Sequence, residues 1–346
     1  MTGSDSASRQ TPEPSETPVG PVLVAGGAGY IGSHTARLLA QRGVEVVVLD
    51  NLSTGHRSAV EAPLVEADLG DRVALRRVFA EHAPRAVIHF AAKCYVGESV
   101  AKPALYYREN VFNTWNLLEE MRAADCREIV FSSTCATYGI PVELPIGESH
   151  PQVPISPYGR TKLHMEHMME DYSRAYGLSF AALRYFNAAG ASRDARLGEH
   201  HDPETHLIPL VLQVALGLRD EITVFGDDYD TPDGTCIRDY IHVEDLADAH
   251  LRALARLQSG RRRVVCNLGT GKGFSVREVI DVARKVTGHP VPASIAPRRE
   301  GDPARLVSGG TVARDELGWQ PRRSDLEQIV RDAWAFHRAH PEGLAD

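Results

Sequence analysis

Tyr158 and Lys162 stand four residues apart in the segment Tyr158-Gly159-Arg160-Thr161-Lys162, a spacing that sets a phenol and an ammonium on one face of a helix whose start Pro157 favours. A tyrosine with a reference pKa of about 10 is a poor base at neutral pH. Lowering it by about three units takes roughly 4 kcal/mol of preferential stabilisation of the phenolate. Lys162 can supply part of that, so the pair suits proton abstraction from an alcohol. Thr134 closes the run Ser132-Ser133-Thr134, where a hydroxyl at a strand end donates or relays a hydrogen bond to a reacting oxygen, or simply caps the backbone. Upstream, Gly26-Gly27-Ala28-Gly29-Tyr30-Ile31-Gly32 has G-x-x-G-x-x-G spacing, and Asp50 follows the last glycine by 18 residues. Glycines there let the backbone turn sharply against a pyrophosphate at the positive end of a helix. A carboxylate at Asp50 accepts from adenosine ribose hydroxyls and repels a 2′-phosphate, which favours NAD over NADP. The cationic nicotinamide of bound NAD would then add to Lys162 in lowering the Tyr158 pKa.

These groups require strands and helices in alternation to hold them. Val22-Leu23-Val24-Ala25 reads as a strand, residues 34–42 as a helix ended by Gly43, and residues 44–49 as a β-branched strand buried on both faces. Strands over 86–91, 129–132 and 180–183 then alternate with helices over 111–124 and 161–176. This pattern predicts an α/β, Rossmann-like, doubly wound parallel sheet. Asp68 and Leu69 after the third strand, and Phe90, Ala91 and Ala92 after the fourth, fall at carboxyl ends of strands, where ligands bind such sheets. Residues 1–20, rich in Ser, Thr, Pro and Glu, read as a disordered tail. Residues 21–185 read as the NAD-binding domain, rejoined by about 236–257. Residues 186–235 and 258–346 read as a second, smaller α/β substrate-binding lobe with helices over 207–218, 276–287 and 311–317.

At 346 residues with 43% hydrophobic and 24% charged side chains, the chain has the composition of an ordinary folded protein of about two domains. A net charge of −8 provides no basic field for nucleic acid or an anionic membrane, so phosphate must be held locally. The five cysteines, Cys94, Cys126, Cys135, Cys236 and Cys266, lack C-x-x-C or His/Cys spacing. The expectation is a reduced cytoplasmic protein with no metal site, no signal segment and no membrane span.

From Pro21 onward the chain resembles the extended short-chain dehydrogenase/reductase superfamily, and most closely its UDP-glucose 4-epimerase family. The matching stretches are Gly26 to His34, Asp50 to Leu52, His89 to Ser99, Phe131 to Gly139, Ser156 to Lys162, Arg184 to Asn187, Arg238 to Val243, Asn267 to Gly269 and Arg298 to Asp302. The resemblance implies an NAD-dependent isomerase of galactose metabolism that interconverts UDP-galactose and UDP-glucose. Tyr158 would take the proton of the sugar 4-hydroxyl while C4 gives hydride to tightly bound NAD, Lys162 would tune Tyr158 and hold the nicotinamide ribose, and Thr134 would bond the 4-oxygen. The 4-keto sugar would turn over and take the hydride back on its other face. The implied cofactor set is Gly26, Gly29, Tyr30, Ile31, Gly32, Asp50, Asn51, Asp68, Leu69, Phe90, Ala91, Ala92, Lys93, Asn110, Tyr158, Lys162 and Phe186. The implied substrate set adds Asn187, His206, Leu207, Phe225, Arg238, Tyr240, Arg299, Asp302 and Leu306 to Thr134. A homodimer is implied as well.

Departures from the family pattern sharpen this expectation. Dehydratases of nucleotide sugars carry an Asp-Glu pair after the Ser-Thr, and UDP-glucuronate decarboxylases a Glu; here Cys135-Ala136 offers no such acid or base. A cofactor-contacting lysine of the family falls at Cys94, with Lys93 beside it. His206 stands where an Asn often touches substrate. Leu306 stands where a bulky Tyr excludes N-acetylated sugars and a small residue admits them; leucine is intermediate. Alternatives are therefore a dual-specific UDP-GlcNAc/GalNAc 4-epimerase or another NAD-dependent nucleotide-sugar epimerase or oxidoreductase.

Overall fold

The computed structural model describes residues 17–299 and 301–344, so the expected tail lies outside them up to residue 16. Residues 17–20 are docked: Val19 exchanges two hydrogen bonds with the Gln258 side chain, at 2.7 and 2.9 Å. Seven strands form the central sheet: β1 (Val22–Ala25), β2 (Val46–Asp50), β3 (Leu64–Glu66), β4 (Ala86–His89), β5 (Glu128–Thr134), β6 (Ser179–Tyr185) and β7 (Arg263–Leu268). Their order is β7-β6-β5-β4-β1-β2-β3, parallel throughout. The sequence order reverses between β1 and β4, which opens a crevice at the carboxyl ends of those strands.

Alternation along each strand feeds two separate cores. Val22, Val24, Val48, Ile88, Val130 and Leu183 face helices α1 (Tyr30–Gln41) and α6 (Val243–Gln258). Leu23, Val47, Leu49, Val87, Phe131 and Phe180 face α2 (Arg72–His82), α3 (Asn113–Ala123) and α4 (Pro157–Tyr176). Helix α4 begins four residues earlier than the periodicity predicts. Ser156 caps it by accepting from Gly159 N at 3.2 Å, and Pro157 occupies its first position, so Tyr158 lies inside the first turn.

The expected boundary of the second lobe needs correction. Residues 258–346 do not all belong to it: β7 pairs with β6, and Val264, Cys266 and Leu268 are buried in the sheet core with Ala313 and Leu317 of α8 (Val312–Leu317). The last strand expected from the sequence is 180–183, so β7 lies beyond that expectation. The second lobe gathers α5 (Leu207–Ala215), α7 (Val276–Thr287) and α9 (Leu326–Ala339) with the parallel strand pair Ile222–Phe225 and Ala293–Ala296, around Val211, Leu212, Ile280, Ile329 and Val330.

Candidate active site

The crevice between β1 and β4 is built by glycines. Gly26 has φ +79°, and a Cβ on it would stand 2.4 Å from Ala91 N; a Cβ on Gly32 would stand 2.1 Å from Gly26 O. Both are fixed by the chain's own packing. Gly29 differs, since a Cβ there would meet nothing nearer than 3.4 Å, so the room above it is left for something other than the chain. No side chain caps α1 and no carboxylate lies in its first turn, which leaves its leading N–H groups for an anion. Asp50 accepts from Ala28 N and Leu52 N, both at 2.9 Å, one to each carboxylate oxygen, and keeps lone pairs for hydroxyls; burial raises its pKa despite these bonds. Asn51 donates to Asp68 at 2.6 Å. These residues fit a dinucleotide with an unsubstituted 2′-hydroxyl.

Several other members of the expected cofactor set serve the chain itself. Tyr30 donates from its hydroxyl to Gly190 O at 2.6 Å, while Ile31 packs on the sheet core and Leu69 lies in the opposite one. Phe90 N and Ala91 N both donate to Ala25 O, at 2.7 and 3.0 Å, which holds that loop against Gly26. Asn110 is fully buried and spent internally: it accepts from Lys93 N at 2.8 Å and donates to Lys93 O and Thr161 Oγ1, both at 3.0 Å. Its part is to position the Ala92–Lys93 backbone. Cys94, rather than Lys93, shares the electrostatic surroundings of Tyr158 and Lys162.

Thr134, the last residue of β5, accepts from Ala136 N at 3.1 Å, and its hydroxyl acts on the neighbouring Tyr158 phenol. Burial raises Tyr158 well above 10, with the Thr134 hydroxyl drawing it partly back. Lys162 is turned to the backbone of β5. Its Nζ donates to Ser132 O at 2.8 Å and lies 4.9 Å from the Phe131 ring centroid, and burial pushes its pKa down to about 8. The protein's own residues therefore hold Tyr158 as a neutral phenol. Tyr185, absent from the expected set, also borders the phenol and bonds Ser132 Oγ at 2.6 Å. It is the tyrosine beside Phe186 in the Arg184-to-Asn187 stretch, the one signal that pointed to it.

Glu166 continues the face of α4 that carries Tyr158 and Lys162, at four-residue steps. It forms a buried, two-pronged pair with Arg184, closest at 2.6 Å, and accepts from Ser133 Oγ at 2.5 Å. Arg184 also donates to Tyr138 OH at 3.0 Å, and Tyr138 OH donates to Asn267 Oδ1 at 2.6 Å. This network ties α4 to the ends of β5, β6 and β7.

On the second lobe, Leu306 packs with Cys135, Tyr138, Ile146 and Phe186, immediately beside Thr134. Its register partner is Arg238, whose guanidinium pairs with Asp302. The Arg299 guanidinium lies 3.9 Å from the Phe225 ring centroid. Tyr240 is buried in the lobe's core, and Asn187 Nδ2 donates to Asp239 O at 3.1 Å. His206, the residue before Leu207 at the start of α5, lies 2.9 Å from Glu199 and 3.1 Å from Glu204. Burial alone would lower its pKa, but the two carboxylates raise it to about 11.

The sequence matches the NAD dependent epimerase/dehydratase family over residues 22–269. It is 54% identical over 325 residues to the UDP-glucose 4-epimerase of Halalkalibacterium halodurans, covering 94% of this chain and 97% of that one. It is 54% identical over 330 residues to the UDP-glucose 4-epimerase of Streptomyces lividans, covering 94% and 99%. The structure superposes on the crystal structure of UDP-glucose 4-epimerase from Brucella ovis in complex with NAD with a TM-score of 0.89, at 54% identity, covering 90% of this chain and 97% of that one.

Glu166→Ala strands the Arg184 cation in the interior and is expected to cost about 3–5 kcal/mol, read as a lowered urea midpoint. Lys162 generates a pH effect of defined sign. Its folded pKa, about 8, is below its unfolded value of 10.5, so the unfolded state binds more protons between those limits and stability rises with pH across them. Urea titrations of nucleotide-stripped protein at pH 7.5 and 10 are expected to show that rise, and Lys162→Met to flatten it.

Proposed function

Because the chain belongs to the NAD dependent epimerase/dehydratase family, we infer that Tyr158, Lys162 and Thr134 carry out its chemistry at C4 of a UDP-sugar. The enzyme is an NAD-dependent isomerase that interconverts UDP-galactose and UDP-glucose. The observation that supports the residue assignment is that Tyr158 and Lys162 share one face of α4 at the end of β5, where Lys162 Nζ donates to Ser132 O at 2.8 Å and Thr134 acts on the Tyr158 phenol.

Bound NAD supplies the acceptor for the C4 hydride and returns it to the sugar, so no net oxidant is consumed. Gly26, Gly29, Gly32 and the start of α1 would hold its diphosphate, and Asp50 its adenosine ribose. Tyr158 accepts the proton of the sugar 4-hydroxyl, and Thr134 holds that oxygen in line with the phenol. Since burial keeps Tyr158 well above 10, it acts as a base only when positive charge is brought against it. Lys162, buried and weakened in its hold on its proton, contributes to that charge and orients the ribose end of the cofactor. On the return step Tyr158 gives its proton back to the 4-oxygen of the rotated 4-keto sugar. Elimination and decarboxylation find no partner here: Cys135 is pushed up to about 12 by burial, and Ala136 has no titratable group.

Leu306 restricts the cleft to sugars without an N-acetyl group. The same reading makes the protein a cytoplasmic homodimer, with exposed Tyr107, Phe112 and Trp115 on the segment ahead of and within α3 as the contact surface. Among the described residues no helix is long and apolar enough to cross a membrane.

Incubation of the purified enzyme without added NAD, followed by the anomeric proton signals, is expected to convert UDP-galactose and leave UDP-N-acetylgalactosamine unchanged. Conversion of both would remove Leu306 as the gate, and conversion of neither, even with NAD supplied, would reject the assignment. Tyr158→Phe is expected to lower the rate at least about 10²-fold with an unchanged circular dichroism spectrum.

A further inference from the structure

The loop leading into α5 reads Glu199-His200-His201-Asp202-Pro203-Glu204-Thr205-His206, in which a carboxylate and an imidazole two residues apart occur twice. The fold gathers all four side chains of that pattern. One ligand atom from each of Glu199, His201, Glu204 and His206 lies within 4.8 Å of every other. His206 Nδ1 is 2.9 Å from Glu199 Oε1 and 3.1 Å from Glu204 Oε1, and His201 Nδ1 is 3.5 Å from both Glu199 Oε1 and Glu204 Oε2. Tetrahedral zinc with ligand bonds of about 2.0–2.1 Å sets its donors roughly 3.3 Å apart, and the His–carboxylate separations lie near that length, with Glu204 presenting Oε1 to His206 and Oε2 to His201.

Three further observations favour an ion over a hydrogen-bonded cluster. The buried His201 Nδ1 has no hydrogen-bond partner although two carboxylates stand beside it, a geometry that suits a shared cation and not a shared proton. Glu204 Oε1 accepts from Thr205 N at 2.7 Å and His206 N at 2.8 Å, which fixes the carboxylate and turns Oε2 towards His201, as outer partners orient a ligand. The Glu199 and Glu204 side chains are only 6% and 5% exposed, and two carboxylates removed from water in one place require compensating positive charge.

We propose that Glu199, His201, Glu204 and His206 bind one zinc ion, a cation suited to two imidazoles and two carboxylates. Four protein ligands close the shell and leave no position for a reactive water, so the ion is structural. It staples the loop after Gly190 to the residue that precedes α5, next to Leu207. It also stands near the nucleotide crevice, because Glu199 and Glu204 act electrostatically on the Tyr30 phenol. The site contains no cysteine, which is why a search by cysteine spacing leads to the opposite expectation.

The test uses untagged, NAD-loaded enzyme dialysed against a chelator and titrated with Zn2+ against a chromophoric zinc indicator, with the melting temperature followed in parallel. The expected result is one zinc per chain and a rise in melting temperature, with affinity reduced at least about 10-fold in His201→Asn and in Glu204→Gln. Zinc-edge X-ray absorption on the wild type is expected to show only nitrogen and oxygen neighbours, which decides the matter if a variant fails to fold. Binding below about a tenth of an equivalent, sulfur in the zinc shell, or full-affinity binding by both folded variants would overturn the proposal.

Discussion

The buried pair between Arg184 of β6 and Glu166 of α4 sets the geometry on which the rest of the site depends. With the two side chains only 6% and 7% exposed, its Coulombic gain offsets its desolvation only if the remaining donors and acceptors are also matched. Ser133 takes up one Glu166 oxygen and Tyr138 takes up the outer Arg184 nitrogen, with Asn267 of β7 closing the chain. The pair is therefore a device of position more than of net stability. Pinning Glu166 orients the two residues that precede it on the same helix face: Lys162 under the Ser132 carbonyl, then Tyr158 beside Thr134.

The two halves of the chemistry come from different parts of one sheet. The glycine turn lies at the end of β1, where sequence order reverses, and the hydroxyls lie at the ends of β5 and β6, two and three strands away. Parallel strands all deliver their carboxyl ends to one edge, so a ligand laid along that edge meets both. The second lobe adds Leu306 and Arg238 through a short strand pair, and Leu306 packs against the cluster that includes Cys135, the residue after Thr134.

Features generated by neighbours in sequence were the most legible. The glycine turn, the Tyr158–Lys162 spacing and the capped start of α4 are local, so composition and periodicity expose them. Partnerships made through backbone carbonyls were not, because a carbonyl has no sequence signature: neither the bond of Lys162 to Ser132 O nor that of Asn110 to Lys93 O can be read from residue types or spacing. Long-range returns were hidden for a related reason. Strand β7 opens on arginine and ends on Asn267 and Leu268, so only Val264 to Cys266 reads as an apolar run, and its pairing with β6 is what places it in the sheet. His206 was visible as an imidazole, but its charge depends on Glu199 and Glu204 converging on it in space.

The Tyr30–Gly190 hydrogen bond spans from the helix that follows the glycine turn to the loop that opens the second lobe. Two bodies joined at the back of their cleft do not swing apart freely, so anything lodged behind that bond exchanges with solvent slowly. A dehydrogenase that surrendered its reduced nucleotide on each turnover would be throttled by such a closure. An enzyme that gets its hydride back is not, and it gains insulation in return: its working rate is decoupled from the ratio of oxidised to reduced nicotinamide in the surrounding cell.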